Sequence, residues 1–597
     1  MCRIHGYLGG SPLPEAALTA VGSAQRHGGP DAQTLHSDHR WALGSNRLAV
    51  QGIEHGQQPY RLGPSLMAVF NGEIYNHKWL RRKLSRRGYR FEGTCDGDVL
   101  LPLYECYGEQ FVQHLEGMYA IAIVDSRAHE PVLKLFADHA AMKTLYYFVH
   151  GDQLCFASEL RALQQFPGFP DQVDRCAVDR YFGGKAVWGP TTIFPGVRSL
   201  PPGGVVEFSS SGGVVQRSID LAARLSENGV LTLGREPAAP LGELLRDEMA
   251  RMTAADVPVC AITSGGLDSS LLTALAAELG PVDTFNISYR GDWPGDERHH
   301  AATVAAHCGT RHHQVELDPR EFPELIVGFV EHLDQPNNAP HSLSTYALFQ
   351  AVHAAGFKCA ITGDGADELF AGYRRFLTAA ADTSPAWHRA YQSTLAVAPG
   401  AILAHLYSDA YRRELQAAGG FFTDQVGDQL AAGRAASAEG NLEALLRFDQ
   451  HHRFPDYILR RVDTLSMAWA VEARMPFLQP AIMAFAHQLP ASAKIGDGRG
   501  KAPVTDLGRG VLPQSIIDRP KQPFTLPITA MMRPGQPLHE MVGDVVLAAH
   551  RCKDLFDPLM VKESFARHSD APNDQDAQLL WSILILETWL SVRGLTL

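Results

Sequence analysis

A glycine-rich stretch near the middle of the chain has the residue types needed to bind a polyphosphate. It reads Ser264-Gly265-Gly266-Leu267-Asp268-Ser269, after a β-prone run at 257–262 and before a helical pattern at 269–279. Paired glycines let the backbone approach an anion closely, and free N–H groups at a helix start stabilise its charge. The stretch matches neither a Walker loop nor a G-x-G-x-x-G fingerprint. We therefore predict a pyrophosphate-binding loop, against the alternative of a turn that binds nothing.

A second glycine-rich turn carries acids instead of hydroxyls. Residues 362–373 (TGDGADELFAGY) follow another β-prone run at 358–361. Carboxylates there would repel a phosphate unless a divalent cation bridges the two, so Asp268 and Asp367 are predicted to hold Mg²⁺. Farther along, Lys501 could neutralise a pyrophosphate leaving group. The alternatives are a helix cap with surface acids for the turn and a solvated cation for the lysine.

Cys2 stands where processing could make it a nucleophile with its own base. Removal of Met1 would leave the thiol and an α-amino group on one carbon. An amine with a pKa of about 7.7–8.0 accepts the thiol proton at neutral pH. The alternative is a cysteine that stands at position 2 by chance.

Length and composition limit the classes of protein to consider. A chain of 597 residues is too long for one core, and 45% hydrophobic with 20% charged residues indicates a soluble, globular protein. A net charge of −12 without a Lys/Arg-rich block argues against nucleic acid as a partner. We find neither a signal peptide nor a membrane-spanning run, and we expect a cytoplasmic protein. Nine scattered cysteines and twenty-six histidines show no zinc-ligand spacing.

The first half of the chain mixes strands and helices without regular alternation. Runs with β character occur at 41–44, 66–70 and 119–124, and helical stretches occur near 78–87 and 99–107. Short strands separated by turn residues predict a layered, largely antiparallel sheet with flanking helices.

In the second half, strand and helix alternate from 257 to 361, which predicts a doubly wound parallel sheet with ligands at the carboxyl ends of its strands. Turn residues separate the halves. We therefore predict a two-domain α/β protein, with a first domain at 2–205, a polar connector at 206–238 and a second domain at 239–597.

Four features of the first domain resemble, in order and spacing, the glutamine site of class II amidotransferases. They are Asn46-Arg47-Leu48, Asn71-Gly72-Glu73-Ile74-Tyr75-Asn76, Asp96 and a run at 156–163. The resemblance implies an Ntn-hydrolase-type α/β/β/α sandwich whose N-terminal cysteine attacks glutamine. It assigns the glutamine carboxylate to Arg47, and the α-amine to Asp96 and the backbone near Glu73. The oxyanion hole falls on the Asn71 side chain and the Gly72 N–H.

Two departures from that family concern the nucleophile and the domain contact. Arg3 follows Cys2 where glycine is usual, and we expect its bulk beside the nucleophile. Residues 137–147 lack the arginine, glycine and proline of the usual Arg-Asp-x-x-Gly-x-Lys-Pro-Leu-Tyr-Tyr segment. That segment should lie toward the domain contact, so we predict altered coupling between the halves, or an altered nitrogen donor, with the fold retained.

Five runs of the second domain resemble the synthetase domain of glutamine-hydrolysing asparagine synthetases. They are SGGLDS, TGDGADELFAGY and the runs at 462–468, 471–478 and 519–522. With the first domain, the resemblance covers nearly the whole chain. It implies an ATP-pyrophosphatase domain with added helices, and it gives Asp364 and Lys501 catalytic positions beside an adenylate. The ATP-binding residues that it implies are Ile262, Ser264, Gly265, Gly266, Asp268, Ser269, Ile287, Thr362, Gly363 and Tyr373.

Three further departures lie in the second domain. Gln479 replaces an aspartate, Gln335 replaces a glutamate, and Pro503 interrupts a helical pattern just after Lys501. We expect these changes to cluster toward the acceptor side. Either Gln479 and Pro503 reshape the acceptor pocket, so that a less polar carboxylic acid replaces aspartate, or they lie outside the pocket and aspartate is turned over.

Three functions are compared. The first is asparagine synthetase, in which ATP adenylates aspartate, pyrophosphate leaves and ammonia from glutamine completes the amide. The second is a relative in specialised metabolism that amidates a less polar carboxylic acid, with a substituted amine as another nitrogen donor. The third, a non-enzymatic binding protein, conflicts with the intact Cys2, Asp268, Asp367 and Lys501. Glutamine, ATP and a carboxylic acid are the expected partners, with a homodimer left open.

Overall fold

The computed structural model describes residues 2–220, 237–384, 386–436, 440–522 and 526–597. Its first half folds into two antiparallel sheets. Their strands are β1 (Cys2–Leu8), β2 (Ala32–Ser37), β3 (Trp41–Arg47), β4 (Tyr60–Leu62), β5 (Leu66–Ile74), β6 (Gly117–Asp125), β7 (Val132–Ala137), β8 (Tyr146–His150), β9 (Gln153–Ala157), β10 (Arg198–Ser199), β11 (Gly204–Ser209) and β12 (Gly213–Ser218). One sheet has the order β10-β8-β9-β1-β3-β2 and the other β12-β11-β7-β6-β5-β4.

Alternation of side chains along β6 shows how the layers stack. Ala120 and Ala122 belong to the apolar layer between the sheets. Tyr119, Ile121 and Ile123 belong instead to the apolar layer on the outer face of the sheet. Successive side chains of a strand point to opposite faces, so both faces of β6 are covered. The outer helices are Glu15–Ala24 and Leu160–Leu163 on one side, and His77–Ser85 and Leu100–Tyr107 on the other. The predicted α/β/β/α sandwich is confirmed.

The second half is built on a parallel sheet. Its strands are β13 (Val259–Ile262), β14 (Asp283–Tyr289), β15 (Arg311–Leu317), β16 (Cys359–Ile361) and β17 (Glu472–Arg474), followed by a hairpin of β18 (Ile495–Gly496) and β19 (Arg499–Gly500). The order is β15-β14-β13-β16-β17, and neighbouring strands are parallel. The chain adds strands on one side of β13 and then on the other. This reversal places a ligand crevice at the carboxyl ends of β13 and β16, and both predicted ligand loops begin there. The doubly wound sheet is confirmed.

Helices surround the parallel sheet and continue to the end of the chain. The last one, Asp574–Val592, is buried on most sides and packs on Phe322–His332. Among the described helices, none has both the length and the apolar character that a membrane crossing requires. The remaining α-helices are Arg175–Gly184, Ala238–Thr253, Leu267–Leu279, Arg298–Cys308, Ser342–Ala354, Ala366–Leu369, Arg374–Ala381, His388–Leu395, Gly400–Leu406, Asp409–Ala417, Phe422–Ala436, Asn441–Phe448, Arg460–Met467, Pro480–Gln488, Ala491–Lys494, Ala502–Arg509, Gln514–Ile517, Ile528–Met531, Pro537–Val546 and Pro558–Asp570, with a π-helix at Asp449–Leu459.

The hairpin of β11 and β12 remains part of the first half. Strand β11 pairs with β7, and β12 extends that sheet to Ser218. The sandwich therefore continues past the predicted boundary at 205. Residues 221–236 of the predicted connector lie outside the described residues, and helix Ala238–Thr253 opens the second half.

Two candidate active sites and the contact between them

Cys2 lies at the start of β1 in the apolar layer between the sheets, and 3% of its surface is exposed. Its backbone nitrogen donates to Asn71 Oδ1 over 3.3 Å, and Gln58 Nε2 donates to its sulfur over 3.1 Å. Burial raises the pKa of the thiol, against the opposing effects of the amino terminus and Ser45. Such a thiol needs a nearby base to become a nucleophile. Sequence reasoning missed Gln58, because a lone glutamine before a proline carries no motif.

Strand β5 presents the Asn-Gly-Glu run to the same site. Asn71 Nδ2 is buried and has no hydrogen-bond partner among the described residues, so this donor is available to an oxyanion. A Cβ on Gly72 would lie 2.1 Å from a backbone oxygen of β6, so a larger residue does not fit. Asp96 Oδ2 accepts the N–H of Ile74 over 2.8 Å. Burial raises the pKa of both the Glu73 and the Asp96 carboxyls.

Arg47 stands opposite Cys2 in the register of β1 and β3. Its guanidinium donates to the backbone oxygens of Gln51, Gly52 and Ile53 over 2.7–3.2 Å. These three bonds fix the guanidinium in one orientation, which suits recognition of a carboxylate. The structure thus brings together the residues that the sequence places at a glutamine site: Cys2, Arg47, Asn71, Gly72, Glu73 and Asp96.

The SGGLDS loop follows β13 and turns sharply into helix Leu267–Leu279. Ser264 Oγ lies 3.0 Å from Ser269 Oγ and accepts the N–H of Gly266 over 3.2 Å. Gly265 has a φ of +72°, and a Cβ there would lie 2.5 Å from His300 Cβ. The loop therefore needs glycine for its conformation and for its space. The loop ends at Gly266, the N-cap of helix Leu267–Leu279, so its backbone lies at a helix start, where anions bind in other proteins.

Lys501 lies between the two predicted metal ligands. Its Nζ is 2.5 Å from Asp268 Oδ2 and 2.7 Å from Asp367 Oδ1, and Lys521 Nζ is 2.8 Å from Asp367 Oδ2. Although burial opposes its charge, the two carboxylates raise the pKa of Lys501. Asp268 Oδ1 is buried without a hydrogen-bond partner. Within the described ranges, no group of three or more His, Cys, Asp or Glu side chains is placed to hold a metal ion. Two carboxylates fit Mg²⁺ when a polyphosphate supplies further oxygens.

Arg519 and Lys521 reach the loop from far along the chain. Arg519 Nη1 donates to Gly265 O over 3.0 Å, and its Nη2 lies 2.5 Å from Glu297 Oε1. Sequence reasoning quoted the run at 519–522 as a motif but gave these cations no role. The sequence feature that could have indicated a role is the pair of cations Arg519 and Lys521, which stand in a polar run after Lys501, the last predicted catalytic residue.

The acidic turn after β16 packs on the loop helix. A Cβ on Gly363 would lie 3.1 Å from the backbone nitrogen of Ser269. Burial raises the pKa of the adjacent Asp364 carboxyl. Tyr373 lies 5.7 Å, measured to its ring centre, from Lys521 Nζ. Three predicted ATP residues lie on neighbouring strands or strand ends: Ile262, Ile287 and Thr362.

The expectation that Pro503 interrupts a helix is wrong. Helix Ala502–Arg509 begins just after Lys501 with Pro503 in its first turn, where a missing N–H costs nothing. Gln335 Oε1 accepts the N–H of Ile193 over 2.9 Å, so it faces the first domain. Gln479 is fully buried, and its Nε2 donates to Met475 O within its own turn over 3.3 Å. Pro503 and Gln479 thus lie at helix starts, and Gln335 lies at the contact between the two halves.

Arg3 does not crowd the nucleophile. Its side chain leaves the opposite face of β1, because successive residues of a strand alternate. It reaches Glu159 and Asp463, and Asp463 also binds Lys143 of the altered 137–147 segment. The segment lies at the contact between the halves, as predicted, since His139 Nε2 lies 2.6 Å from Leu478 O.

Both halves of the chain match families of known proteins. Residues 241–591 match the family described as asparagine synthase, and residues 1–218 match the glutamine amidotransferase domain. The glutamine-hydrolyzing asparagine synthetase 3 of Bacillus subtilis is 28% identical over 83% of this chain and 82% of its own. Asparagine synthetase 1 of that organism is 25% identical over 99% of this chain and 97% of its own. A Penicillium rubens protein named Amidase chyE is 29% identical over 61% of this chain and 55% of its own. Because the family match spans more than half of the chain, this protein belongs to the asparagine synthase family.

Proposed function

We propose that this glutamine-dependent ligase activates aspartate with ATP as an acyl-adenylate and converts it to asparagine with ammonia made at Cys2. The observation that carries the proposal is the convergence of Lys501, Asp268 and Asp367 at the crevice of the parallel sheet. That crevice lies in the same chain as the buried Cys2, which has the unpartnered amide donor of Asn71 beside it. The chain thus carries a candidate site for adenylation and a candidate site for the release of ammonia.

In the first site, the Cys2 sulfur attacks the amide carbon of glutamine. Its proton passes to the α-amine that removal of Met1 exposes, and then to the departing ammonia. Asn71 Nδ2 and the Gly72 N–H stabilise the oxyanion of the tetrahedral intermediate. Water then cleaves the thioester and releases glutamate. Arg47 holds the glutamine carboxylate, and Asp96 with Glu73 holds its ammonium.

In the second site, a carboxylate oxygen of the acceptor attacks the α-phosphorus of ATP, and pyrophosphate leaves. The loop N–H groups and Lys501 stabilise the charge on the leaving group. Ammonia then attacks the acyl carbon, AMP leaves, and Asp364 accepts the proton that the nitrogen loses. Asp268 and Asp367 would hold Mg²⁺, which when bound would neutralise part of the charge on the polyphosphate.

Ammonia in bulk water is mostly protonated and non-nucleophilic, so passage inside the protein favours the reaction. A small cavity with a mixed polar and apolar lining, where the two halves meet, supports an internal route. It is lined by Ala186 and Val187 of the first half and by Asp334, Arg461 and Thr464 of the second.

The charge beside Asp364 supports aspartate as the acceptor. Arg461 is 5% exposed and close enough to lower the pKa of Asp364. A buried guanidinium favours an acceptor that keeps a free carboxylate after the other is adenylated. It disfavours the less polar acid considered from the sequence.

The proposal is tested by incubating the protein with glutamine, ATP, Mg²⁺ and a panel of carboxylic acids. We expect AMP, pyrophosphate, glutamate and asparagine when aspartate is present. Formation of ADP and phosphate, or the absence of asparagine with turnover of another acid, would contradict the proposal. A cytoplasmic location and a homodimer stay predictions.

A further inference from the structure

A cavity of about 140 Å³, which we call the outer cavity, lies where the two halves meet. Thr144 and Ser199 of the first half line it together with Asp456 and Arg460 of the second half. Three of its lining residues are exposed to solvent: Pro190, Pro201 and His451. The outer cavity therefore opens at the surface of the molecule.

The outer cavity shares a wall with the smaller cavity of the internal route, which we call the inner cavity. Asp456 and Arg460 line both of them. Arg460 Nη2 lies 2.5 Å from Asp456 Oδ1, and Asp456 Oδ2 accepts the N–H of Gly189. In the part of the chain that the structure describes, Arg460 Nε and Nη1 are buried without a hydrogen-bond partner. The ion pair thus separates the two cavities, and one nitrogen anchors its guanidinium.

The inner cavity has the size and the polarity that suit one ammonia molecule. Its volume is about 10 Å³, which is room for a single molecule of the size of water. Arg460 can donate to the lone pair of ammonia, and Asp334 Oδ2, which has no partner among the described residues, can accept an N–H. With both carboxyls ionised, the charges of Asp334, Asp456, Arg460 and Arg461 sum to zero. Neutral ammonia enters without adding a charge, whereas ammonium would carry an unpaired one out of water.

Among its described lining residues, the outer cavity carries no excess charge either. The ion pair of Asp456 and Arg460 is neutral as a whole. Burial lowers the pKa of His451 and His452, and it brings that of His452 to about 4. Both imidazoles are therefore mostly neutral at pH 7, and their ring nitrogens can exchange hydrogen bonds with a small amine. Ammonia that leaves bulk water meets no net charge before the inner cavity.

We propose that the outer cavity is an entry port for ammonia and small neutral amines from solution, which reach the second site through the inner cavity without passing Cys2. The inference rests on the proposed function, in which nitrogen attacks the acyl carbon and AMP leaves. Rotation of Arg460 about its Asp456 anchor joins the two cavities, because Nε and Nη1 have no bond to a described residue that this rotation would break. Free ammonia and ammonia made from glutamine then share the last part of one path.

The test fills the outer cavity and compares the two nitrogen sources. A Cβ on Gly189 would lie 2.7 Å from Ser199 Oγ and 3.4 Å from Asp456 Oδ2, so Ser199→Leu places a larger side chain beside the ion pair. Asparagine formation is measured with ATP, Mg²⁺ and aspartate, and with either ammonium chloride or glutamine. We expect kcat/KM for ammonia to fall about tenfold or more. The value of kcat/KM for glutamine should stay within about twofold of that of the wild-type protein.

A second blocking variant, His452→Trp, keeps the test decisive if Ser199→Leu does not fold. The His452 ring lies 4.7 Å from the Phe448 ring, measured between ring centres. His539→Trp is the matched control, because the His539 ring lies 4.9 Å from the Phe565 ring but belongs to helix Pro537–Val546, which lines neither cavity. The control should keep both values of kcat/KM at the level of the wild-type protein.

A wild-type kcat/KM for ammonia in the folded blocking variants overturns the port, because ammonia would then enter elsewhere. An equal fall with both nitrogen sources also overturns it, since the cavity would then be structural only. If the wild-type protein forms asparagine with glutamine but not with ammonia, the port fails while the proposed function stands. Absence of asparagine with either source defeats the proposed function itself.

Discussion

Arg474 and Glu73 meet across the contact between the two halves, with 3.7 Å between Nη2 and Oε2 and both side chains buried. Glu73 belongs to the run beside Cys2. The backbone oxygen of Arg474 accepts the N–H of Thr362 over 2.9 Å, directly before Gly363. A single residue thus touches a group predicted to bind glutamine and the turn predicted to bind ATP.

Glu73→Gln should weaken glutamine binding and leave the second site intact. A hydrogen bond to a charged group contributes about 1.5–3 kcal/mol, so the KM for glutamine should rise about 10- to 100-fold. Steady-state glutamate formation measures the change, and ammonia-supported asparagine formation is the control. A KM equal to that of the wild-type protein would remove Glu73 from the glutamine site.

Cys2→Ala should abolish turnover with glutamine but not with added ammonia, because only the first site needs the thiol. Gln58, which donates to the Cys2 sulfur over 3.1 Å, provides a milder comparison. Gln58→Ala should retain glutamine hydrolysis at a reduced rate. Persistent glutamine hydrolysis at the wild-type rate in Cys2→Ala would show that the nucleophile lies elsewhere.

Asp268→Asn should lower activity with either nitrogen source by ~10²-fold or more, since it removes a proposed metal ligand and a partner of Lys501. Pyrophosphate release with ammonia is the measurement. Glutamate formation without ATP should stay unchanged. Loss that appears only with glutamine would contradict a role in adenylation.

Gln479→Asp should stabilise the protein without altering acceptor choice. Gln479 is the N-cap of helix Pro480–Gln488 and makes no side-chain capping bond. An aspartate there can accept an N–H of the first turn, which contributes about 1 kcal/mol. Thermal unfolding should show a higher midpoint, and the KM for aspartate should remain in the usual range of ~1 μM–1 mM. A changed acceptor preference in this variant would show that Gln479 contributes to the acceptor pocket.

Glu248→Gln should remove a pH-dependent loss of stability. Burial raises the pKa of Glu248 to about 7, and Arg251 opposes only part of that effect. The folded protein therefore binds this proton more tightly than the unfolded chain. The stabilisation is complete below the ordinary value for glutamate and is lost as pH rises through about 7.

Between the ordinary pKa of glutamate and pH 7, the free energy of unfolding of the wild-type protein should thus fall by up to about 3 kcal/mol. The fall should be smaller in Glu248→Gln. Denaturant unfolding at pH 4.5 and pH 8 compares the two proteins. Equal pH dependence in both would show that Glu248 titrates normally.

The sequence predicts the fold and the local motifs because each depends on neighbouring residues. The loop glycines, the strand that precedes them and the alternation of strand and helix in the second half can be recognised from the local sequence. Long-range contacts cannot be recognised from the local sequence. Arg519 meets Gly265, and Lys521 meets Asp367, across more than 150 residues. The prediction for Arg3 was wrong because adjacent residues of a strand point to opposite faces, and because its partners Glu159 and Asp463 are distant in the sequence.

The placement of Lys501 has a practical consequence for handling the protein. Two carboxylates, Asp268 and Asp367, face two ammonium groups, those of Lys501 and Lys521, so the crevice carries its own counterions. These four side chains together carry no net charge, so they neither repel one another nor attract a free divalent cation strongly. The protein should tolerate purification in chelating buffer without unfolding, and divalent ions should enter together with the nucleotide rather than ahead of it.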